Sequence, residues 1–461
     1  MIYFVAFIIV YALKVLLKLN WWMAVGLLMY AVVMIPLHKK RWKKAKEAER
    51  RFMDVSLYLD TVLYAFVKEE KVELAIRDVY QTLPQGQMKE LILQVSEYIN
   101  MTYDEVEILD EALGMIEKEY SCKRLKDVHQ FMTHVEYYGG EIEKPVNLLL
   151  ADKRRWEKRI RIAIADRNKQ MVDVILSAAV SLLVCSAIVY LPVMNMDISK
   201  ELVVQVAAFL VVVLNDCIVY RCQKYLAVDW IQMHLTEDEE YYVRKMESFC
   251  NYDETKERKM SYILGCISLL FCVIAFGLGN DGMVVALLLL TLFLLNQHKI
   301  GRSLLRRNLV KEIKYAFPNW LLDLVLLLQS ENVQVALMKS QQHVPGVFRK
   351  ELVELNARLE VEPESSEPYH QFLQEFAIPE IHSAMGSLYS LSIGNSANAD
   401  KQINELVEKN LELLDVTETI LLKDSSSGMY VLFLLPVVTA SFKLIVDMVF
   451  LMLAFLRVPM I

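Results

Sequence analysis

Glycine and proline are sparse in this chain, 14 and 11 among 461 residues, and neither occurs between Val146 and Leu191. That stretch excludes a turn and reads as one helix leaving a polar region for an apolar one. No alternating apolar–polar run reaches useful length, which excludes a half-buried sheet and sets the fold class as all-α. A phosphate loop of the form GxxxxGK[ST] is missing, and Gly301-Arg-Ser303 lacks the glycine loop that should precede it. The chain is therefore expected neither to bind nor to hydrolyse ATP by itself. None of the eight histidines begins an HExxH, and His129 and His134 are five apart, off a common helical face. No GxSxG elbow occurs either. No catalytic residue, metal ligand or cofactor is expected. The seven cysteines are odd in number and form no CxxC, which points to reduced thiols rather than a disulfide framework.

What is present is apolar: 55% hydrophobic residues and a mean hydropathy of +0.29. A ~30 Å hydrocarbon core needs about 20 such residues as helix, and lipid forces helical pairing of the backbone. Runs suited to this occur in a layout that repeats. Ile2–Leu17 and Trp21–Leu37 lead into a polar region that returns at Val172–Met194. Ser261–Gly277 and Met283–Leu295 lead into another that returns at Met429–Leu456. The two starts are 259 residues apart, and Glu70-Lys-Val-Glu-Leu-Ala-Ile76 echoes Glu331-Asn-Val-Gln-Val-Ala-Leu337 at a spacing of 261. Lys14 inside the first run and Lys18 at its end, and a second run in place of a cleavage site, argue against a cleavable signal peptide.

His38–Arg51 carries eight Lys/Arg and two Glu, which places it in the cytoplasm, and Arg302, Arg306 and Arg307 agree. Counting from there, both large polar regions are cytoplasmic, with Asn195–Glu201 and Gly279–Gly282 as short outer loops. Lys14, Asp216, Lys443 and Asp447 fall toward span ends, where snorkelling is expected, and Lys443 and Asp447 are an i, i+4 pair. Asp216 near the inner end and Asp447, ~28 Å along its run, cannot share one proton as a protease dyad.

The expected organisation is two transmembrane helices in 1–37, a helical bundle in 38–170 and two transmembrane helices in 171–220. A helical connector follows in 221–260, two transmembrane helices in 261–296, a second bundle in 297–428 and a C-terminal transmembrane segment in 429–461. In the first bundle Val55, Leu59, Val62, Leu63 and Phe66 mark a buried helical face. Helices follow at Val72–Leu83, Met88–Ile99, Tyr103–Tyr120 and Lys123–Tyr138, the last broken by Gly139-Gly140. In the second, Pro318 is expected to open a helix and Ser330–Asn332 to separate it from Val333–Ser340. A polar loop is expected at Glu362–Pro368, and helices at Ile381–Ile393, ending near Gly394, and Asp400–Leu422. Ser425–Gly428 should then interrupt the chain before the last span.

Leu59–Ile76 and Leu321–Leu337 resemble the opening helix pair of the type II secretion system F-domain family. The family's later glycine-led helix is matched by Gly139-Gly140 with Val146–Leu150 and more loosely by Gly394 with Ile403–Leu406. The doubled layout is closest to the paired membrane platform proteins of tight-adherence (Tad/Flp-type) pilus systems, here in one chain. The resemblance implies two F-type bundles in tandem and a non-enzymatic platform in the bacterial cytoplasmic membrane. Its implied partners are a cytoplasmic hexameric secretion ATPase, pilin or pseudopilin subunits, the lipid bilayer and further copies of itself, with no nucleic acid. The repeat motif is then Glu70, Val72, Ala75 and Glu331, Val333, Ala336. The basic run Lys153, Arg154, Arg155, Lys158, Arg159 and Arg161 is the candidate contact for the ATPase or for anionic lipid. The competing class is a polytopic membrane transporter, which would need a binding site at mid-membrane.

Overall fold

The computed structural model describes residues 2–101, 108–140, 142–190, 198–231, 239–250, 252, 254–277, 281–328, 331–394 and 399–457. Among these residues there is no strand, and the all-α class holds. The expected outer loops at Asn195–Glu201 and Gly279–Gly282, the start of the helix at Tyr103 and the break residue Ser330 lie wholly or partly outside them. The helices in chain order are α1 (Ile2–Leu16), α2 (Trp21–Glu69), α3 (Val72–Thr82), α4 (Gln87–Met101), α5 (Ile108–Tyr120), α6 (Lys123–Tyr138), α7 (Glu143–Tyr190) and α8 (Leu202–Leu226). They continue as α9 (Glu239–Cys250), α10 (Glu254–Gly277), α11 (Asp281–Leu327), α12 (Val333–Ser340), α13 (Arg349–Val361), α14 (Glu367–Gln371), α15 (Pro379–Ile393) and α16 (Ala399–Arg457). Among the described residues, α2, α7, α8 and α16 are long and apolar enough to cross a membrane, and α1 and the middle of α11 carry shorter apolar stretches.

The chain divides into two compact units, 1–138 with 149–233 and 419–461, and 139–148 with 234–418. In the first, the polar half of α2 places Phe52, Val55, Leu59, Val62 and Phe66 on one stripe, fully buried, because residues three and four apart share a helical face. Ile76, Ile92, Ile116 and Leu125 from α3 to α6 join that core, as does Trp156 of α7, whose ring meets Phe52 edge-on at 5.0 Å. The apolar half of the unit has its own core, in which Val10 and Leu27 pack with Cys185, Val211 and Ala440. The last apolar stretch of the chain therefore packs with α1, α2, α7 and α8.

In the second unit Phe317, Trp320, Phe348 and Phe372 form an aromatic cluster with centroids 5.5–6.5 Å apart, inside the range of favourable ring pairs. α10 and α11 form a close hairpin. A Cβ on Gly265 would stand 2.5 Å from Leu295 Cδ2, so a larger residue there would have to displace the Leu295 side chain, and Thr291 Oγ1 donates to Ser268 Oγ across the hairpin at 2.9 Å.

Two expectations are corrected. Pro318 does not open a helix: it lies inside α11, and its carbonyl accepts from Asn410 Nδ2 at 2.9 Å. Ser425–Gly428 does not interrupt the chain either, since α16 runs through it. Its three serines bond back to the carbonyls of Leu422, Lys423 and Asp424 at 2.7–2.9 Å, which keeps their hydroxyls within the helix.

The sequence echo has a structural counterpart. Glu70 N–H donates to the Phe66 carbonyl and Ala75 N–H to the Lys71 carbonyl; 261 residues later Glu331 donates to Leu327 and Ala336 to Asn332. Val72, Ala75, Val333 and Ala336 are buried in both copies. The caps differ: Glu136 accepts from Val72 N–H at 2.7 Å in the first, whereas the Asn332 side chain accepts from Val335 N–H at 2.9 Å in the second. The break expected at Gly139-Gly140 is present, with φ of +72° and +145° that a Cβ would strain, and Gly394 follows the last turn of α15 in an extended conformation.

Candidate functional site

The continuous helix α7 carries the basic run, and its rotation splits that run in two. Lys153 and Arg159 face inward and are buried. Lys153 pairs with Asp60 of α2 and, at 2.5 Å, with Glu157. Burial alone would raise the Glu157 carboxyl, but hydrogen bonds from Lys153 and Arg161 pull it down to about 2. Arg124 of α6 grips Asp152 at 2.6 and 3.3 Å through two nitrogens. Arg154, Lys158 and Arg161 face outward, Arg154 touching Tyr64 Oη at 2.8 Å, and Arg155 is half-buried. Only the outward residues are open to a partner, so Lys153 and Arg159 serve the packing of α7.

One and a half turns beyond Arg161, Arg167 is 1% exposed and lies over the Trp230 ring at 4.5 Å. It donates to the Tyr225 carbonyl at 2.7 Å and to Ser425 Oγ at 2.6 Å, fastening α7 to α8 and α16 at one level. Here α16 presses on α8: a Cβ on Gly428 would stand 2.1 Å from Tyr225 Oη. Further along, Thr439 Oγ1 donates to Asn215 Oδ1 at 2.8 Å, and Asn215 Nδ2 to Ser181 Oγ at 3.2 Å. About one and two helical turns on are Lys443 and Asp447, paired with each other and both 0% exposed. The snorkelling expected of them is corrected: they face the bundle, with Asp447 Oδ1 lacking a hydrogen-bond partner among the described residues. Asp216 has other partners, Tyr30 Oη at 2.9 Å and His38 at 3.3 Å, and forms no dyad with Asp447.

His129, which the spacing to His134 puts off a common helical face with it, is buried between Tyr58 Oη and Glu117 Oε1, each at 2.9 Å. Carboxylate, imidazole and hydroxyl are the parts of a proton relay, but Tyr58 is fully buried and no substrate reaches it. Burial lowers the His129 pKa, partly offset by Glu117, so the folded protein takes up this proton less readily than the unfolded chain does. Unfolded chains take up the proton first, near pH 6.5, so stability is full above that value and falls as pH drops below it. Thermal unfolding of the full chain in detergent should show this acid slope, and His129→Gln should flatten it. An unchanged slope in the variant would sink the assignment.

Sequence reading passed over two further features. Gly277, Gly279 and Gly282 have the GxGxxG spacing of a dinucleotide fingerprint. That fingerprint works only between a strand and a helix, and here the preceding element is the apolar helix α10. The second unit also has a cleft of about 310 Å³ lined by Glu351, Glu354, Glu375 and Cys250 among others. There burial and the neighbouring glutamates raise the Glu351 carboxyl. Among the described residues no group of side chains could hold a metal ion. No family model, curated protein or solved structure matches the chain.

Proposed function

We propose that the chain is a membrane platform for a type IV-like (Tad/Flp) pilus or a type II secretion machine. In this reading it is not an enzyme but couples a cytoplasmic ATPase to the extraction of pilin subunits and filament growth. The observation that carries the reading is the repeated helix–break–helix with identical backbone bonds 261 residues apart, each copy opening a helical bundle. We read these as tandem F-type domains, both on the cytoplasmic side. α7 supports the mechanical part, because one unbroken helix joins bundle packing at Trp156 to apolar packing at Cys185. Arg154, Lys158 and Arg161 are the residues left outward for an ATPase. The test is disruption of the gene in its host: loss of surface filaments, restored by the intact chain but not by Arg154→Glu/Lys158→Glu/Arg161→Glu, is the expected result. Filaments of normal number in the disrupted strain would exclude the reading.

Sidedness has its own test. Cysteines placed at Asn100 and Glu364 should react with an impermeant reagent only after lysis, and labelling of both in intact cells would invert the topology. The buried Lys443–Asp447 pair favours a second reading, a polytopic transporter, because ionisable groups inside a span are commonly part of a transport path. Substrate uptake by proteoliposomes of the purified chain would decide for it.

A further inference from the structure

α2 has two opposite faces that change character at the same level. His38, Arg41, Ala45, Ala48 and Phe52 recur three and four residues apart and face inward. His38 pairs with Asp216, Arg41 donates to the Tyr220 carbonyl and lies over the Tyr220 ring, and Phe52 is fully buried. Two basic residues of the run are thereby spent inside the unit. On the opposite face the helix shows Trp22, Val25, Met29, Val32 and Val33, all exposed and apolar. After Leu37 that face turns abruptly to Lys39, Lys40, Lys43, Lys44 and Lys46, every one exposed. None of the five has a carboxylate within ion-pair distance among the described residues, and Glu47 on the same face is taken by Arg50 at 3.0 Å.

We infer that this lysine face binds the headgroups of anionic phospholipids. A protein partner would have to cover an apolar face and a cationic one joined end to end; a lipid monolayer presents tails and then charge in that order. The dimensions agree. The lysines span ~10 Å at 1.5 Å per residue, and the headgroup layer beyond the hydrocarbon is roughly 5–8 Å deep on each side. Lysine stems reach along the helix to close the difference. The inference needs only that α2 crosses a bilayer; it does not depend on the platform reading or on which side is cytoplasmic.

The experiment uses the full chain reconstituted in phosphatidylcholine bilayers, with spin-labelled phosphatidylglycerol or phosphatidylcholine as the probe of lipid held at the protein surface. Both probes carry a phosphate, so a difference reports net charge. Phosphatidylglycerol should be preferred about five-fold or more. Replacing the five lysines by glutamine should remove most of that preference, replacement by arginine should keep it, and Lys71→Gln/Lys118→Gln/Lys126→Gln should leave it unchanged. Equal preference in the glutamine variant and the parent would overturn the inference. So would loss of the parent's preference on adding millimolar inorganic phosphate, which would mark a site for free anions. A chain that fails to incorporate into bilayers at all would refute the span itself.

Discussion

If the chain is the membrane platform proposed above, Ile164→Pro is expected to abolish filament assembly while the protein still reaches the membrane. Ile164 lies on α7 between Ile160, buried in the bundle, and Arg167, which fastens the helix to α8 and α16. A proline there removes one backbone hydrogen bond, clashes with the preceding turn and costs about 3 kcal/mol or more in a helix interior. Stability alone is not the point, because the kink falls where displacement of the bundle would pass to the apolar half. Ser426→Pro should be comparably harmful, since α16 is continuous through that position and the neighbouring Ser425 receives Arg167. The measurement is filament number by electron microscopy at matched membrane levels of each variant. Normal filaments with Ile164→Pro would show that α7 is not a mechanical link.

The contrast between these two positions shows where sequence sufficed and where it did not. α7 was legible because an absence of Gly and Pro over more than forty residues leaves helix as the only economical backbone. The stripe from Val55 to Phe66 was legible because burial of one helical face leaves a period of 3.6. Ser425–Gly428 carries the composition of a loop, yet its hydroxyls bond within the helix and Gly428 leaves room for the Tyr225 side chain, which lies some two hundred residues away in sequence. Pro318 misled for a related reason: the long helix around it is held by the aromatic cluster and by Asn410, and such tertiary packing outweighs one missing N–H. The candidate contact run was half legible. Sequence located six basic residues, but which of them face outward depends on the rotation of α7 against α2 and α6, set by Asp60, Arg124 and Trp156.

Rotation also decides the fate of Lys443, and it leads to the second large effect. Depth along a span is countable from sequence, but a snorkelling lysine and a buried one differ only in which neighbours surround the helix. Here α16 turns Thr439, Lys443 and Asp447, four residues apart, toward the bundle, with Thr439 fixed by Asn215. Lys443→Ala leaves the Asp447 carboxylate buried without its counter-ion, and removing one partner of a buried pair typically costs about 3–5 kcal/mol. A neutral, similarly sized double replacement, Lys443→Met with Asp447→Leu, strands no charge and should return most of that stability, since apolar substitutes for buried pairs are often neutral or stabilising. Thermal unfolding of the purified chain in detergent should therefore rank the parent and the double variant together, well above either single variant. On the platform reading, if the pair is only packing, the double variant should also restore filaments. Restored stability without restored filaments would show that the charges are needed for work, and uptake assays on the same variant would then test the transporter reading directly. A single Lys443→Ala variant as stable as the parent would mean that water reaches the pair and that it is not buried in the assembled protein.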